Sequence, residues 1–186
     1  MDLARLLDFL LEAERAHLVK RETVHADGSR ENIAEHSFQL CLLVLTFKEH
    51  LESYSFSRLL ELALVHDLVE IYAGDTFAFD ESRARTKAAR EEEAARRLFS
   101  RLPSPVRERI AGLADEYAQA SSPEARLVRL FDKIQPNIVN QVSAKPTWMR
   151  GVTLERIDRR VQSYLLGEDV FAEFHRLLME RASRLK

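Results

Sequence analysis

Apolar residues recur at helical spacing along nearly the whole chain, and few residues are present that could interrupt the pattern. Leu3, Leu6, Leu7 and Leu10 form an i, i+3, i+4, i+7 stripe. Only five glycines and five prolines occur, and no segment alternates apolar and polar residues over the length of a strand. At 186 residues the chain has the size of one domain, and its 46% hydrophobic content is enough for a full core. The pattern predicts an all-α single domain, a bundle of roughly six to eight helices.

Local signals mark the boundaries. "KRETVHADGSRE" reads as a polar loop with a turn at Asp27-Gly28-Ser29. A second helix carries "IAEHSFQLCLLVLTFKEHL" and a third carries "ALVHDLVEIYAG". "FAFDESRA" connects to the charged helix "RTKAAREEEAARRLFSRL", expected to show solvent a mixed-sign face and to bury Ala89, Ala94, Leu98 and Phe99. Ser104-Pro105 and Ser122-Pro123 each put a capping hydroxyl before a proline at the first helical position. Pro136 is expected to kink or end its helix just past Asp132. Thr153 opens a helix through Leu165, with Gly167 as its stop, and "EDVFAEFHRLLMERASRL" forms the last.

Formal net charge is −2, from 28 basic and 30 acidic residues. Without a basic excess, a nucleic-acid polymer is disfavoured as partner. Cys41 is the one cysteine, so no disulfide forms within the chain, which fits a reducing compartment. No apolar run is long enough for a membrane span. "MDLARLLDFLLEAERAH" reads as an amphipathic helix rather than a signal peptide. The cytoplasm is the expected compartment.

Against this apolar background some polar residues stand out. His66, Asp67 and Glu70 fall within five positions of "ALVHDLVEIYAGDT", on a helix that is apolar in nearly every direction. An ionised side chain buried there needs a partner or a metal. His36 shares its face with Ile33, Leu40 and Leu43, and Asp132 lies among Val128, Phe131 and Ile134. A lone inward histidine is often a satisfied core residue, and Arg129, one turn before Asp132, could serve as that aspartate's partner. The adjacent His66-Asp67 pair weighs toward a shared site. Two imidazoles and two carboxylates suit one divalent ion, Mn²⁺, Co²⁺, Fe²⁺, Zn²⁺ or Mg²⁺.

A histidine, an adjacent His-Asp and a distant Asp on a helical chain resemble the HD-domain superfamily of metal-dependent phosphohydrolases. The matching residues are His36 in "ENIAEHS", His66-Asp67 in "VHDLVEIYAGDT" and Asp132 in "SPEARLVRLFDKIQP". Within it, the chain is similar to the branch containing the 5′-deoxynucleotidases, which hydrolyse deoxyribonucleoside 5′-monophosphates. The resemblance implies metal ligation by His36, His66, Asp67 and Asp132 in a core spanning about residues 15–140. It also implies catalytic roles for Glu70 and Asp75 and a phosphate contact from Arg21, to which Arg30 is a possible addition. Branch members with nucleotidase activity carry an aromatic residue after that arginine, where this chain has Glu22. No histidine occurs between His66 and His175, so a two-metal site is disfavoured.

The expected activity is hydrolysis of a small-molecule phosphomonoester, foremost a (deoxy)nucleoside 5′-monophosphate. The rivals are another small phosphate ester and a non-catalytic nucleotide-binding module. His17, His25, His50 and His175 are expected in polar or helix-edge positions without a metal role. Trp148 is expected in the core or at a subunit contact. Relatives are commonly homodimers, and the helices of residues 153–185, with Phe171, Phe174, Leu177 and Leu178, could pack on the core or on a partner subunit.

Overall fold

A computed structural model describes residues 2–167 and 169–185. Helix α1 (Leu3–Ala13) starts at Asp2, whose side chain accepts from the Arg5 amide at 3.1 Å. Its core-facing residues are Phe9, with Leu6 and Ala13 partly buried, so Leu6 alone of the leucine stripe packs on the core. Leu3, Leu7 and Leu10 are 69, 57 and 63% exposed.

A 3₁₀ turn (Glu14–Leu18) leads into strands β1 (Lys20–Val24) and β2 (Arg30–Asn32). They pair antiparallel, with Lys20 opposite Asn32 and Val24 opposite Arg30. The stretch expected to be a loop is thus a hairpin, too short and polar to show an alternating pattern. Its turn lies where expected. Gly28 takes φ +87°, and the Asp27 carboxylate accepts from the Ser29 amide at 2.9 Å.

Asn32 ends β2 and caps α2 (Ile33–Thr46) in a capping box with Glu35. Helix α3 (Phe56–Val65) does not run through the His-Asp doublet as the apolar pattern predicted. At Leu68 and Glu70 the amides bond three residues back, to Val65 and Asp67, and regular helix resumes as α4 (Glu70–Ala73). The tightening follows His66, whose own amide still bonds the Leu62 carbonyl at 3.0 Å, so it shifts Glu70 relative to the doublet.

Helix α5 (Glu81–Phe99) starts from an Asp80 cap, inside the expected connection. Ala94, Leu98 and Phe99 are buried, whereas Ala89 is exposed. Helix α6 (Val106–Gln119) has Pro105 in the cap position with no side-chain cap bond, because Ser104 Oγ donates to Glu108 instead. Helix α7 (Pro123–Asn140) begins as expected, with Ser122 accepting from the Ala125 amide at 3.0 Å. It continues through Pro136, which removes only the one amide that would have bonded the Asp132 carbonyl.

Thr153 caps α8 (Leu154–Gln162), which stops before Leu165, and α9 (Asp169–Arg184) closes the chain. The centre of the core is aromatic. Phe47 lies 5.7 Å from Phe131 and 5.5 Å from Phe171, and Phe131 meets Phe171 at 5.2 Å. Phe171 and Leu178 are therefore spent inside this chain, and only Leu177 of the expected interface residues is strongly exposed. Trp148 packs with Val152, Ile157 and Ala182 in a second, smaller cluster.

Candidate metal centre and its cavity

Helices α2 and α7, with the segment between α3 and α4, bring His36, His66, Asp67 and Asp132 into one cluster. One ligand atom from each of His36, His66 and Asp67 lies within 4.8 Å of the others. Asp132 joins through His36, with Oδ1 3.1 Å from Nε2.

Which nitrogen each histidine presents is set from behind. His66 Nδ1 lies 2.9 Å from the Ala63 carbonyl and so donates to it. His36 Nδ1 lies 2.7 Å from Gln135 Oε1. Gln135 Nε2 donates to Glu31 Oε1 at 2.7 Å and Gln39 Oε1 at 2.8 Å, which fixes the amide with its oxygen toward His36. Both rings therefore turn Nε2 toward a carboxylate: His36 to Asp132, and His66 to Asp67 Oδ2 at 3.2 Å. His66 Nε2 is buried and has no hydrogen-bond partner despite that short distance. Lone pairs facing carboxylate oxygens require a cation between them, a proton or a metal ion. The donor set thus fits a divalent metal.

The electrostatics agree. Burial alone would lower the His66 pKa, yet Asp67 and Asp132 outweigh it and raise it. Burial likewise pushes Asp67 up, but His66, Arg21 and His36 hold it far below the carboxylate range. Asp132 is held low against burial by Lys133, His36 and His66, and its Oδ2 accepts from Tyr117 at 2.8 Å. Glu70 behaves oppositely. Burial, then Asp67 and Asp75, push its carboxyl well above 4.5, and its buried Oε2 has no partner. Asp75 is raised by burial and Asp67 against the pull of Arg21.

His66, Asp67, Glu70, Asp75 and Asp132 line one cavity of about 530 Å³, with Tyr117, Phe77, Phe79 and Tyr164 among its walls. Arg21 reaches it from β1. Its Nε donates to Glu31 and its Nη1 to Asp67, each at 3.0 Å, with Asp75 3.5 Å away. Arg30 does not reach it. That side chain bonds the Arg21 carbonyl and Glu22, and lines a second, more open cavity. Arg129 does not pair with Asp132, whose basic partner is Lys133. His175 is buried rather than at a helix edge, and its Nε2 lies 2.8 Å from Asp158. It is not among the residues lining the metal cavity.

Residues 13–168 match the HD domain family. The chain belongs to that family. A crystal structure from Magnetospirillum magnetotacticum MS-1, described as a predicted metal-dependent phosphohydrolase, superposes on this HD-domain chain with a TM-score of 0.89 at 33% identity. The match covers 98% of this chain and 93% of that one. The 5′-deoxynucleotidase HDDC2 of Danio rerio is 32% identical over 120 residues, covering 62% of this chain and 59% of that protein. The 5′-deoxynucleotidase YfbR of Escherichia coli is 27% identical over 135 residues, covering 68% of this chain and 67% of that protein. The HD-domain chain spans little more than half the length of the curated HDDC2 relatives it matches.

Several residues of this HD domain escape a reading of the sequence. Gln135, Glu31 and Gln39 orient His36 from α7, β2 and α2, yet each looks like an ordinary polar residue in the chain. Lys87 lies on the helix read as a solvated face, but it lines the cavity with Nζ 4.0 Å from Glu70. Arg90 beside it bonds Thr76 at 2.7 Å and ties α5 to the loop after α4. Their signal lies in which turn of α5 faces the cavity, and a mixed-charge sequence does not show that.

Proposed function

We propose that the chain is a metal-dependent phosphomonoesterase acting on a small phosphate ester, foremost a (deoxy)nucleoside 5′-monophosphate. The observation that carries this reading is the His36, His66, Asp67 and Asp132 cluster beside a cavity that also holds the buried carboxyl of Glu70, whose Oε2 has no hydrogen-bond partner. The named activities of HDDC2, YfbR and the Magnetospirillum protein support it.

His36, His66, Asp67 and Asp132 would hold one divalent ion. Bound there, such an ion supplies Lewis acidity toward the phosphoryl group and lowers the pKa of water. Arg21 steadies Asp67 and Asp75, and its Nη2 forms no hydrogen bond among the described residues, leaving a donor for a phosphate oxygen. Burial, then Asp67 and Asp75, raise the Glu70 pKa in the metal-free protein, and a protonated Glu70 would suit donation to the leaving alkoxide. Asp75, 3.5 Å from the Arg21 guanidinium, would accept a proton from the attacking water. Phe77 and Phe79 offer apolar surface to the rest of the substrate.

The test is orthophosphate release from a panel of nucleoside 5′-monophosphates with Mn²⁺ or Co²⁺ added. No turnover of any phosphomonoester by metal-loaded protein would overturn the reading. Metal analysis should return one ion per chain, and two at full occupancy would contradict the single-ion site.

The same reading takes residues 1–186 as one HD domain, with α9 packed into the core through Phe171. We further propose a homodimer. Leu3, Leu7 and Leu10 on α1 and Phe38, Leu42 and Leu45 on α2 form exposed stripes at helical spacing. Light scattering should give twice the chain mass, and a monomer at micromolar concentration would refute it. No helix among the described residues is long and apolar enough to cross a membrane. The free Cys41 suits the cytoplasm, the compartment we propose.

A further inference from the structure

The cavity has a charge asymmetry that the metal centre does not use. Its α5 and α6 side carries Glu91, Glu92 and Asp115, with the one cation there among the described residues, Lys87, 3.3 Å from Glu91, whereas its α7 and α8 side carries Arg129, Lys133 and Arg160 around Tyr164. Arg129 and Lys133 are one turn apart on α7, on either side of Asp132. The Arg129 guanidinium carbon lies 5.7 Å and Lys133 Nζ 5.6 Å from the centre of the Tyr164 ring. Arg160 reaches in from α8, 5.8 Å from the Phe79 ring. Lys133 also bonds Asp132, so this basic wall begins at the metal centre and runs away from it.

Cations held in a cavity are normally matched by carboxylates. Arg21 faces Glu31, Asp67 and Asp75, and Lys87 faces Glu91 and Glu70. Arg129 and Arg160 form no ion pair among the described residues. Among the described residues Arg129 makes a long contact of 3.5 Å to the Ala118 carbonyl and a hydrogen bond to the Tyr164 side chain, and Arg160 Nε is buried without a partner. Their field is felt locally. Burial raises the Tyr164 pKa, yet Lys133, Arg160 and Arg129 together bring it below its ordinary value.

A single scissile phosphate, placed between the four proposed ligands and Arg21, would leave Arg129 and Arg160 unmatched. We propose that Arg129, Lys133 and Arg160, with the Tyr164 hydroxyl, form a second anion subsite, so that the preferred substrate is a phosphomonoester bearing another phosphate or carboxylate. For the scissile phosphate, this rests on the phosphomonoesterase reading above. Guanidinium forks favour oxyanions of this kind.

Two substrate pairs test the subsite on metal-loaded protein. They are adenosine 5′-monophosphate against adenosine 3′,5′-bisphosphate, and glycerol 3-phosphate against 3-phosphoglycerate. In at least one pair, kcat/KM should favour the doubly anionic member by about tenfold, the scale of one charge-assisted hydrogen bond. The pair showing the preference tells whether the second group is phosphate or carboxylate. Arg160→Gln should bring that ratio toward one, and Arg160→Lys should restore part of it. The ratio does not depend on the fraction of protein folded. Equal kcat/KM within both pairs, or a preference untouched by Arg160→Gln, would overturn the subsite. If nothing is turned over, the phosphomonoesterase reading fails by itself, and calorimetric binding of the same compounds decides the subsite. Tighter binding of a doubly anionic member that is lost in Arg160→Gln upholds it, and equal affinities overturn it.

Discussion

Gln135 Oε1 accepts from His36 Nδ1 at 2.7 Å across 99 residues of sequence, and this contact turns the other ring nitrogen of His36 toward Asp132. Gln135→Leu removes the acceptor while filling a similar volume. Metal affinity should fall about 10- to 100-fold, the usual cost of losing such a partner. Competition titration of Mn²⁺ or Co²⁺ against a chelator measures it. Wild-type affinity in a folded variant would show that the ring is oriented by packing alone.

Glu70→Gln should lower kcat by about 10²- to 10⁴-fold, the range for general acid–base groups, while metal binding persists. It should also change the pH dependence of the metal-free protein. The Glu70 pKa is raised above 4.5 by burial, Asp67 and Asp75. Its contribution to stability is therefore full below the unfolded value and is lost as pH rises through the folded one. Between about pH 5 and 8, the Tm of metal-free wild type should fall more steeply than that of the variant. Parallel Tm profiles would count against a buried, proton-holding Glu70.

Metal removal should be visible in stability. A ligand that binds only the folded state at one hundred times its Kd adds about 2.7 kcal/mol. Mn²⁺ or Co²⁺ should raise the wild-type Tm, and EDTA should reverse the rise. Asp67→Asn and Asp132→Asn should lose most of the shift, because each deletes a carboxylate facing an imidazole Nε2. A full shift in both variants would place the metal elsewhere.

Phe171→Ala should destabilise the fold by about 3–5 kcal/mol, typical of emptying an aromatic core site. Phe171 is 1% exposed and meets Phe47 and Phe131 within one chain. Denaturant melts of the variant should therefore show the loss at every protein concentration. A loss that vanished on dilution would move Phe171 to a subunit contact.

Most helices were legible because their signals are local. Ser122-Pro123 and Thr153 cap helices as the sequence predicts, and Asp27-Gly28-Ser29 turns the chain. The hairpin was not legible, since its residues are polar and its pairing is set by partners rather than period. The leucines of α1 misled for a related reason. Phe9, beside the stripe, carries the core contact, and a periodic pattern alone does not say which face meets the rest of the protein.

The sequence by itself determined the helical class and the set of polar groups at odds with their apolar surroundings, His36, His66, Asp67, Glu70 and Asp132, while Asp75 came only from the family resemblance. Periodicity and the cost of burying charge act within a few residues of chain. Only the tertiary structure decided which nitrogens face the cavity, that Arg21 is held by carboxylates while Arg30 points elsewhere, and that Lys87, Lys133 and Arg160 line the cavity wall. Those outcomes depend on distances between elements far apart in the chain. A side chain's neighbours, more than its own identity, set its protonation and its free donors.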